Sequence, residues 1–378
     1  MTVDDLRPLM PVTARWAYFD HAAVAPLPEP SRRAMADLIA DQAENGDANW
    51  PRWRKNVERA RALGAGLIGA GEDEVAVVRN TTEGIGLVAE GFPWRPGDNV
   101  VVPSSEFPSN LYPWKHLAGR GVEVRVVDAP DERLDPAKVE AACDPRTRIV
   151  AVSWVGYATG WRNDPAVYAE IAHRRGAYLF LDAIQALGVL PLDAKAAGVD
   201  FLAADGHKWM LGPEGAGLFY VRRELLDLLR PLLVGWNSVA TAGDYTNPDL
   251  RLKPTAGRYE GGSYNMAGIA GFAESLALLD AIGVDAIAAR LREVTDGLCD
   301  RLRSAGADIA SDRSDERRSG IVAFALPGRP PTEVRKHLFE RGVIVRERAG
   351  RLRASPHAYT NADDVDRLAA ALREVHLA

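Results

Sequence analysis

Lys208 is the residue whose type and position most directly suggest chemistry. It follows the apolar run 200–204, within the segment Asp205-Gly206-His207-Lys208-Trp209. Lysine is seldom buried unless it is paired or reactive, and ligands of open α/β sheets bind beyond the carboxyl ends of the strands. The glycines that follow, at positions 212–217, let the backbone approach a ligand closely. Lys208 is therefore placed to form a Schiff base, although a surface lysine in a glycine-rich turn explains this segment alone equally well.

Asp182 favours the reactive interpretation, because it ends the very apolar run 177–181. A carboxylate in such surroundings needs a cationic partner. The protonated ring nitrogen of pyridoxal phosphate is such a partner, and a carboxylate beside it keeps the ring ready to accept electrons from the substrate α-carbon. Gln185 is then placed to bond the ring oxygen. Helix capping is the alternative role for Asp182, but capping does not account for a lysine at the end of the next strand.

Two further polar segments follow apolar runs. Asn80, Thr81 and Thr82 stand between the run 75–79 and a helical pattern, where backbone N–H groups and hydroxyls would bind a phosphate. An ordinary capped helix explains this motif at least as well when it is taken alone. Phe107, after the run 99–103, could stack on an aromatic ring, although a single phenylalanine is more often part of a core.

The elements that must position these residues form an alternating series. Short apolar runs predict strands at 75–79, 99–103, 123–127, 148–154, 177–182, 200–204 and 216–221, and helical patterns lie between them at 82–91, 108–119, 135–143, 164–174 and 185–190. Apolar strands separated by helices predict an α/β fold whose seven-stranded sheet is mostly parallel and has helices on both faces.

The pattern changes after about residue 255. A long helical pattern covers 266–304, and it is followed by a strand at 319–325, a helix at 331–341, strands near 343–353 and a final helix at 361–375. This order predicts a smaller α+β domain, against which the N-terminal residues would pack. We therefore expect a large domain over 16–255 and a small domain formed by 1–15 and 256–378.

The composition limits the classes of function. The chain has 378 residues, of which 47% are hydrophobic and 26% charged, and its net charge is −6. These values are typical of globular proteins and give no reason to expect a nucleic acid partner. No apolar run approaches the ~18 residues of a membrane span. Two cysteines, Cys143 and Cys299, cannot form a disulfide framework or a metal cage, so we expect a cytoplasmic protein that binds neither a metal nor a membrane.

One motif is a decoy. Residues 64–69 (GAGLIG) match the dinucleotide-binding fingerprint. They lie in or at the end of a helical run and not between a strand and a helix, which is the context that this fingerprint requires. We therefore do not predict a nicotinamide site here.

Taken together, these motifs resemble the class V aminotransferase family, which has fold type I of the pyridoxal-phosphate enzymes, and in particular its cysteine desulfurase and isopenicillin N epimerase-like branch. The resemblance covers nearly the whole chain, and its order and spacing are specific. The matching segments are residues 18–23 (YFDHAA), 79–84 (RNTTEG), 106–107 (EF), 113–114 (PW), 182–185 (DAIQ), 206–208 (GHK), 258–262 (RYEGG) and 353–355 (RAS).

The resemblance implies a role for each matching residue. It implies a pyridoxal-phosphate site with Lys208 as the Schiff-base lysine, Asp182 at the ring nitrogen, Gln185 at the ring hydroxyl, Thr81, Thr82 and His207 at the phosphate, and Phe107 stacked on the ring. It further implies that Arg353 clamps the α-carboxylate of an amino acid substrate, a task suited to its planar fork. Ser263 would reach the phosphate of a second subunit, so a homodimer with shared sites is expected. His21 is a candidate wall of the substrate pocket.

The sequence departs from the desulfurases at one important position. They carry a nucleophilic cysteine shortly before the clamping arginine, whereas residues 345–352 (VRERAGRL) contain none. We therefore rank a carbon–sulfur (β-elimination) lyase or a transaminase first, an amino acid epimerase next and a cysteine desulfurase last. A regulatory protein that binds the cofactor without turnover is the alternative from a different class.

Overall fold

The computed structural model describes residues 1–246 and 248–377. Its strands are β1 (Ala17–Tyr18), β2 (Val75–Val78), β3 (Asn99–Pro103), β4 (Glu123–Val127), β5 (Thr147–Ser153), β6 (Tyr178–Asp182), β7 (Phe201–Asp205), β8 (Gly217–Val221), β9 (Asp308–Ile309), β10 (Val322–Ala325), β11 (Val343–Ile344), β12 (Arg346–Arg348) and β13 (Arg351–Ala354). Its α-helices are α1 (Glu29–Asn45), α2 (Trp50–Leu67), α3 (Thr81–Gly91), α4 (Tyr112–His116), α5 (Pro136–Ala142), α6 (Pro165–Arg174), α7 (Met266–Ile282), α8 (Val284–Ser304), α9 (Pro331–Glu340) and α10 (Ala362–Leu377).

The large sheet has the predicted composition. Within the described residues it contains seven strands in the order β2-β8-β7-β6-β5-β3-β4. Strands β7, β6, β5, β3 and β4 run parallel, whereas β8 is antiparallel to β2 and to β7. Successive residues of a strand belong to different core clusters: Val101 packs on one face, and Val100 and Val102 pack on the other. Both faces are therefore buried, which explains the continuous apolar runs and confirms the predicted mostly parallel α/β fold.

Two helical predictions need correction. Residues 185–190, predicted as a helix, form turns because Gly188 adopts a φ of 100°, which ends any regular helix there. The pattern at 266–304 is two helices, α7 and α8, which meet at Gly283 with a φ of 89°. No single helix of the described chain has the length and apolarity of a bilayer span. Only α7 and α8 together reach them, and that pair is bent by 83°.

A smaller α+β unit follows the large sheet. Its antiparallel sheet has the order β12-β13-β10-β9, and it shares a core with α8, α9, α10 and the parallel pair β1–β11. Two elements pack with a different domain from the one to which the sequence assigned them. Strand β1 pairs with the small unit, and residues of α7 such as Phe272 and Leu276 belong to the core of the large sheet. The division at residues 15 and 255 stays a prediction, and this packing favours moving both limits.

Candidate active site

A cavity of about 440 Å³ opens at the carboxyl ends of the parallel strands, where the sequence predicts a site. It is lined by eight of the ten predicted site residues: Thr81, Thr82, Phe107, Asp182, Gln185, His207, Lys208 and Arg353. These residues come from five separate segments of the chain. Because these residues converge on one cavity, a polar residue placed shortly after an apolar strand was a useful sign of the position of the site.

Lys208 is a buried amine without an ion-pair partner in the described chain. It follows β7 through Gly206, where a Cβ would lie 2.6 Å from the carbonyl oxygen of Ala216, so only glycine allows this close crossing. The side chain is 9% exposed. Burial lowers the pKa of Lys208 to about 8, although the charge of Asp182 opposes that shift. About a tenth of the amine is therefore unprotonated at pH 7 and about half at pH 8, in the form that a nucleophile or a base requires.

Asp182 ends β6 inside the same cavity and is 3% exposed. Its Oδ1 accepts the backbone N–H of Ile184 at 3.1 Å, so the capping role is also present. Its Oδ2 has no hydrogen-bond partner among the described residues. Burial raises the pKa of Asp182 to about 6, while the Ile184 N–H and the charge of Lys208 act in the opposite direction. A cationic ring nitrogen placed against the free oxygen would restore the ionised form.

Glu106 is a functional candidate to which sequence reasoning gave no role. It follows β3, and Ser153 donates to it twice, from its backbone N–H to Oε1 at 2.7 Å and from its hydroxyl to Oε2. Burial raises the pKa of Glu106 to about 8, and the charge of Asp182 adds to this shift. Two neighbouring buried carboxyl groups do not both ionise cheaply. A protonated Glu106 therefore favours the ionised form of Asp182, which is the form that holds a pyridinium.

Gln185 has a fixed orientation. The indole N–H of Trp209 donates to its Oε1 at 3.0 Å, and its Nε2 donates to the carbonyl oxygen of Ala22 at 3.0 Å. Because an indole nitrogen only donates, this contact identifies Oε1. One N–H of Gln185 remains for the oxygen of a bound ring. With the free oxygen of Asp182 and the unpaired amine of Lys208, the residues present fit pyridoxal phosphate.

The predicted phosphate site lies at the start of α3. The side-chain oxygen of Asn80 accepts the N–H of Glu83 at 2.9 Å and caps the helix. The hydroxyl of Thr81 accepts the N–H of Asp205 at 3.0 Å, and the hydroxyl of Thr82 donates to Ser109 at 2.9 Å. Thr81 therefore ties the helix to the strand that leads to Lys208. Its own hydroxyl proton is still available to an anion.

His207 and Phe107 both line the cavity that holds Lys208. Nδ1 of His207 lies 2.9 Å from Oδ2 of Asp205, and the Lys208 amine lies 5.8 Å from the centre of the Phe107 ring. Phe107 is 42% exposed and meets Tyr157 edge to face, with 5.2 Å between ring centres. An exposed aromatic ring beside a buried amine is the arrangement that stacking on a flat cofactor requires.

Arg353 is a fully buried cation at the wall of the cavity. Its guanidinium donates to the carbonyl oxygen of Tyr157 at 2.5 Å and to Asp20 at 3.2 Å. Burial lowers the pKa of Arg353 to about 10, against the influence of Asp20, so it remains charged at neutral pH. Its Nε has no partner in the described chain. These two contacts hold the guanidinium group in place. A substrate carboxylate could bind the N–H groups that remain free.

The segment that bears the catalytic cysteine in desulfurases is here a short hairpin. Strands β12 and β13 are joined by Ala349 and Gly350, with φ angles of 47° and 72°, which is a two-residue turn. Cys143 and Cys299 are both buried outside the cavity, and burial raises the pKa of each thiol, to about 11 for Cys143. Neither cysteine is an ionised nucleophile at this site.

Two predicted site residues lie elsewhere. His21 is fully buried, with Nδ1 2.9 Å from the carbonyl oxygen of Ser355 and Nε2 2.8 Å from the hydroxyl of Tyr359, so a substrate contact would break one of these bonds. Ser263 lines a separate cavity of about 380 Å³. Within one chain it is therefore not part of the Lys208 cavity, as the expected role towards a second subunit requires.

The chain is similar to known proteins over nearly its whole length. Residues 17–368 match the class V aminotransferase family. A probable cysteine desulfurase of Methanothermobacter thermautotrophicus is 33% identical, with 99% of this chain and 98% of that protein aligned. The structure of a cysteine desulfurase from Thermococcus onnurineus is similar with a TM-score of 0.88 and 26% identity over 99% of this chain and 98% of that one. A structure of a cystine C–S lyase with cysteine persulfide has a TM-score of 0.90 at 23% identity, covering 97% and 99%, and shows the fold alone.

The chain therefore belongs to the class V aminotransferase family, and it is an enzyme that depends on pyridoxal phosphate. The predicted cofactor and fold type are confirmed. The alternative of a regulatory protein without turnover is not supported.

Proposed function

We propose that this enzyme is a carbon–sulfur lyase that acts on a cysteine-derived amino acid by β-elimination and needs no cysteine of its own. In this reaction the Cβ–S bond breaks and the sulfur leaves as a thiol. Addition of water then releases the three remaining carbons as pyruvate and ammonia, so that atoms balance. The observation that carries the proposal is the complete set of Lys208, Asp182 and Arg353 beside a hairpin without a cysteine.

The bound cofactor supplies an aromatic ring that stabilises negative charge at the substrate α-carbon. Asp182 holds the proton on its ring nitrogen, and Gln185 orients its ring oxygen. Arg353 binds the α-carboxylate and so fixes which bond at Cα faces the lysine. Lys208 accepts the α-proton at Nζ, for which a pKa of about 8 is well matched. The same ammonium can return a proton to the departing sulfur.

A cysteine desulfurase is the second candidate, because similar curated relatives bear that name or the name of a probable cysteine desulfurase. Such an enzyme keeps the sulfur on a cysteine thiolate and leaves alanine. The burial of Cys143 and Cys299 and the raised pKa of each thiol argue against this route. Transamination and epimerisation use the same first proton transfer. We place epimerisation below elimination because nothing in the sequence nominates a second base.

We also propose that the active enzyme is a homodimer in which Ser263 of each copy reaches the phosphate in the other. Ser263 stands in the matching family segment and outside the cavity of its own chain. The cavity that it lines includes Arg79 and Glu83, which adjoin the phosphate segment in sequence. A second copy docked there would bring the two regions together.

The products of turnover test the proposal. The holoenzyme would be incubated separately with L-cysteine, L-cystine and S-alkyl cysteines. Each mixture would be assayed for pyruvate, ammonia, alanine, the D-amino acid, and the keto acid that keeps the whole carbon skeleton of the substrate. We expect pyruvate and ammonia in equal amounts. Alanine together with enzyme-bound persulfide would establish a desulfurase instead, and an inverted amino acid would establish an epimerase.

A further inference from the structure

The hairpin β12–β13 presents four arginines on one face. Side chains alternate along a strand, and the register places Arg346 opposite Arg353 and Arg348 opposite Arg351. The intervening residues point the other way: Leu352 belongs to the small core, and Glu347 accepts a hydrogen bond from Thr332 near the start of α9. Like charges opposite one another destabilise a strand pair. Each of these arginines therefore needs an anion.

Three of the four arginines have one. Arg353 and Arg346 share the buried Asp20, at 3.2 Å and 2.9 Å. Arg351 pairs with Asp131 at 2.7 Å. Arg348 has no carboxylate within ion-pair distance in the described chain, and its one hydrogen bond goes to the carbonyl oxygen of its neighbour Glu347 at 2.8 Å.

Arg348 is half-buried and lines the cavity that holds Lys208. Its charge lowers the pKa of both Lys208 and Arg353, so it acts on the reaction centre and on the carboxylate clamp. The acidic groups of the cavity are committed elsewhere or make no pair with it. Asp182 serves the ring nitrogen, Asp205 lies 2.9 Å from His207, and Glu214 is exposed and unpaired with Arg348.

We propose that Arg348 binds a second negative charge on the substrate, carried by the group that leaves with sulfur. The inference rests on the proposed lyase function and names its substrate class: a cysteine S-conjugate whose substituent ends in a carboxylate or another oxyanion. Arg348 and Arg346 lie two residues apart on one strand, which corresponds to about 7 Å. Since Arg346 stands opposite Arg353, an anion at Arg348 would lie about that far from the α-carboxylate. A short S-substituent spans such a distance.

Two ligands of nearly the same shape can show the effect of the negative charge on the S-substituent alone. S-carboxymethyl-L-cysteine and S-carbamoylmethyl-L-cysteine differ in a carboxylate against an amide, and both would be titrated into the holoenzyme while its visible absorption spectrum is recorded. We expect the wild-type enzyme to bind the carboxylate at least roughly tenfold more tightly, as one charge-assisted hydrogen bond allows. Arg348→Ala should reduce this ratio to about one, because any indirect effect through Lys208 or Arg353 acts on both ligands alike and cancels in the ratio. Arg348→Lys should keep part of the preference.

Arg351→Ala is the matched control, because it removes a charge from the same hairpin outside the cavity and should leave the ratio unchanged. An unchanged ratio in Arg348→Ala, or a wild-type enzyme that binds both ligands alike, would overturn the inference. Failure of the lyase proposal is separately visible: the binding preference would persist while no pyruvate appears from either ligand. If both ligands gave pyruvate and the enzyme bound them equally well, the lyase proposal would be supported and the proposed role of Arg348 would be wrong.

Discussion

Glu106 and Asp182 are two buried carboxyl groups linked through one intervening strand. Ser153 at the end of β5 is the register partner of Asp182 on β6, and it donates both its N–H and its hydroxyl to Glu106 beyond β3. The proton that one carboxyl group holds therefore influences the charge of the other. This relationship places a titrating group behind Asp182, the residue that we propose to face the ring nitrogen of the cofactor.

Replacing Glu106 by Gln should change how stability depends on pH. The unfolded chain ionises this residue near 4.5, but the folded protein does so only near pH 8. The folded state holds the extra proton between these values, so the stability of the wild-type apoprotein falls as pH rises through that window, by on the order of a few kcal/mol. The variant lacks this loss. Thermal unfolding of both apoproteins from pH 5 to 9 should show a Tm difference that grows in favour of the variant.

Glu293→Gln, on the exposed side of α8, controls for the removal of a carboxylate as such. A constant Tm difference between wild type and Glu106→Gln across the pH range would contradict the buried, protonated state of Glu106.

Lys208→Ala should abolish turnover and the visible absorbance of the lysine-linked cofactor, because the amine that forms the Schiff base and moves the α-proton is gone. Spectra and pyruvate assays of the purified variant check this. Lys115→Ala, at an exposed position of α4, is the control and should behave as wild type. Persistence of either property in Lys208→Ala would refute the assignment.

Arg353→Lys should lower kcat/KM for the amino acid substrate by roughly 10- to 100-fold, mainly through KM. Lysine keeps the charge but cannot offer the planar fork that binds a carboxylate by two bonds. Steady-state kinetics measure this change, and a melting curve establishes that the ion pair with Asp20 has not unfolded the protein. Unchanged KM with normal folding would show that the carboxylate binds elsewhere.

The double variant Cys143→Ala, Cys299→Ala should retain the rate of pyruvate formation within about twofold under folding conditions, because neither thiol lines the cavity. Some loss of thermal stability is expected, since both side chains are buried. The rate is measured well below the melting temperature of the variant. Complete loss of turnover in a folded variant would revive the desulfurase candidate.

Complementation tests the shared site. Lys208→Ala and Ser263→Asp should each be nearly inactive, the latter because a carboxylate would repel the phosphate. If Ser263 serves the other copy, refolding the two variants together should create one intact site in each mixed dimer and restore part of the activity. Each variant refolded alone is the control, and light scattering gives the oligomeric state. Absence of recovery in demonstrated mixed dimers would place both residues in the same chain's site.

Much of the fold could be predicted because the strands are buried on both faces. The predicted run at 99–103 coincides with β3, whose residues are all buried. The run at 123–127 coincides with β4, although most of that edge strand is not buried. The helix predicted at 185–190 was wrong because an apolar stretch does not reveal a positive φ, which Gly188 adopts in its packed surroundings. A glycine also separates α7 from α8 within what reads as one continuous pattern.

The site could be predicted where a residue directly follows a strand, as with Asp182 and Lys208. Residues whose role depends on a distant partner were not found. Asp20 becomes significant only because Arg346 and Arg353 reach it from more than 300 positions away. Arg348 is distinguished from its neighbours by what it lacks, and a sequence does not reveal a missing partner.

The hydrogen bond between Asp205 and Thr81 joins positions 124 residues apart. The two parts of the candidate cofactor site therefore meet only after a long loop has closed, in a sheet whose strand β8 lies between β2 and β7. Contacts of such separation form slowly. During refolding, the appearance of yellow colour should lag behind the recovery of helical circular dichroism, and added cofactor should slow unfolding rather than accelerate the early collapse of the chain.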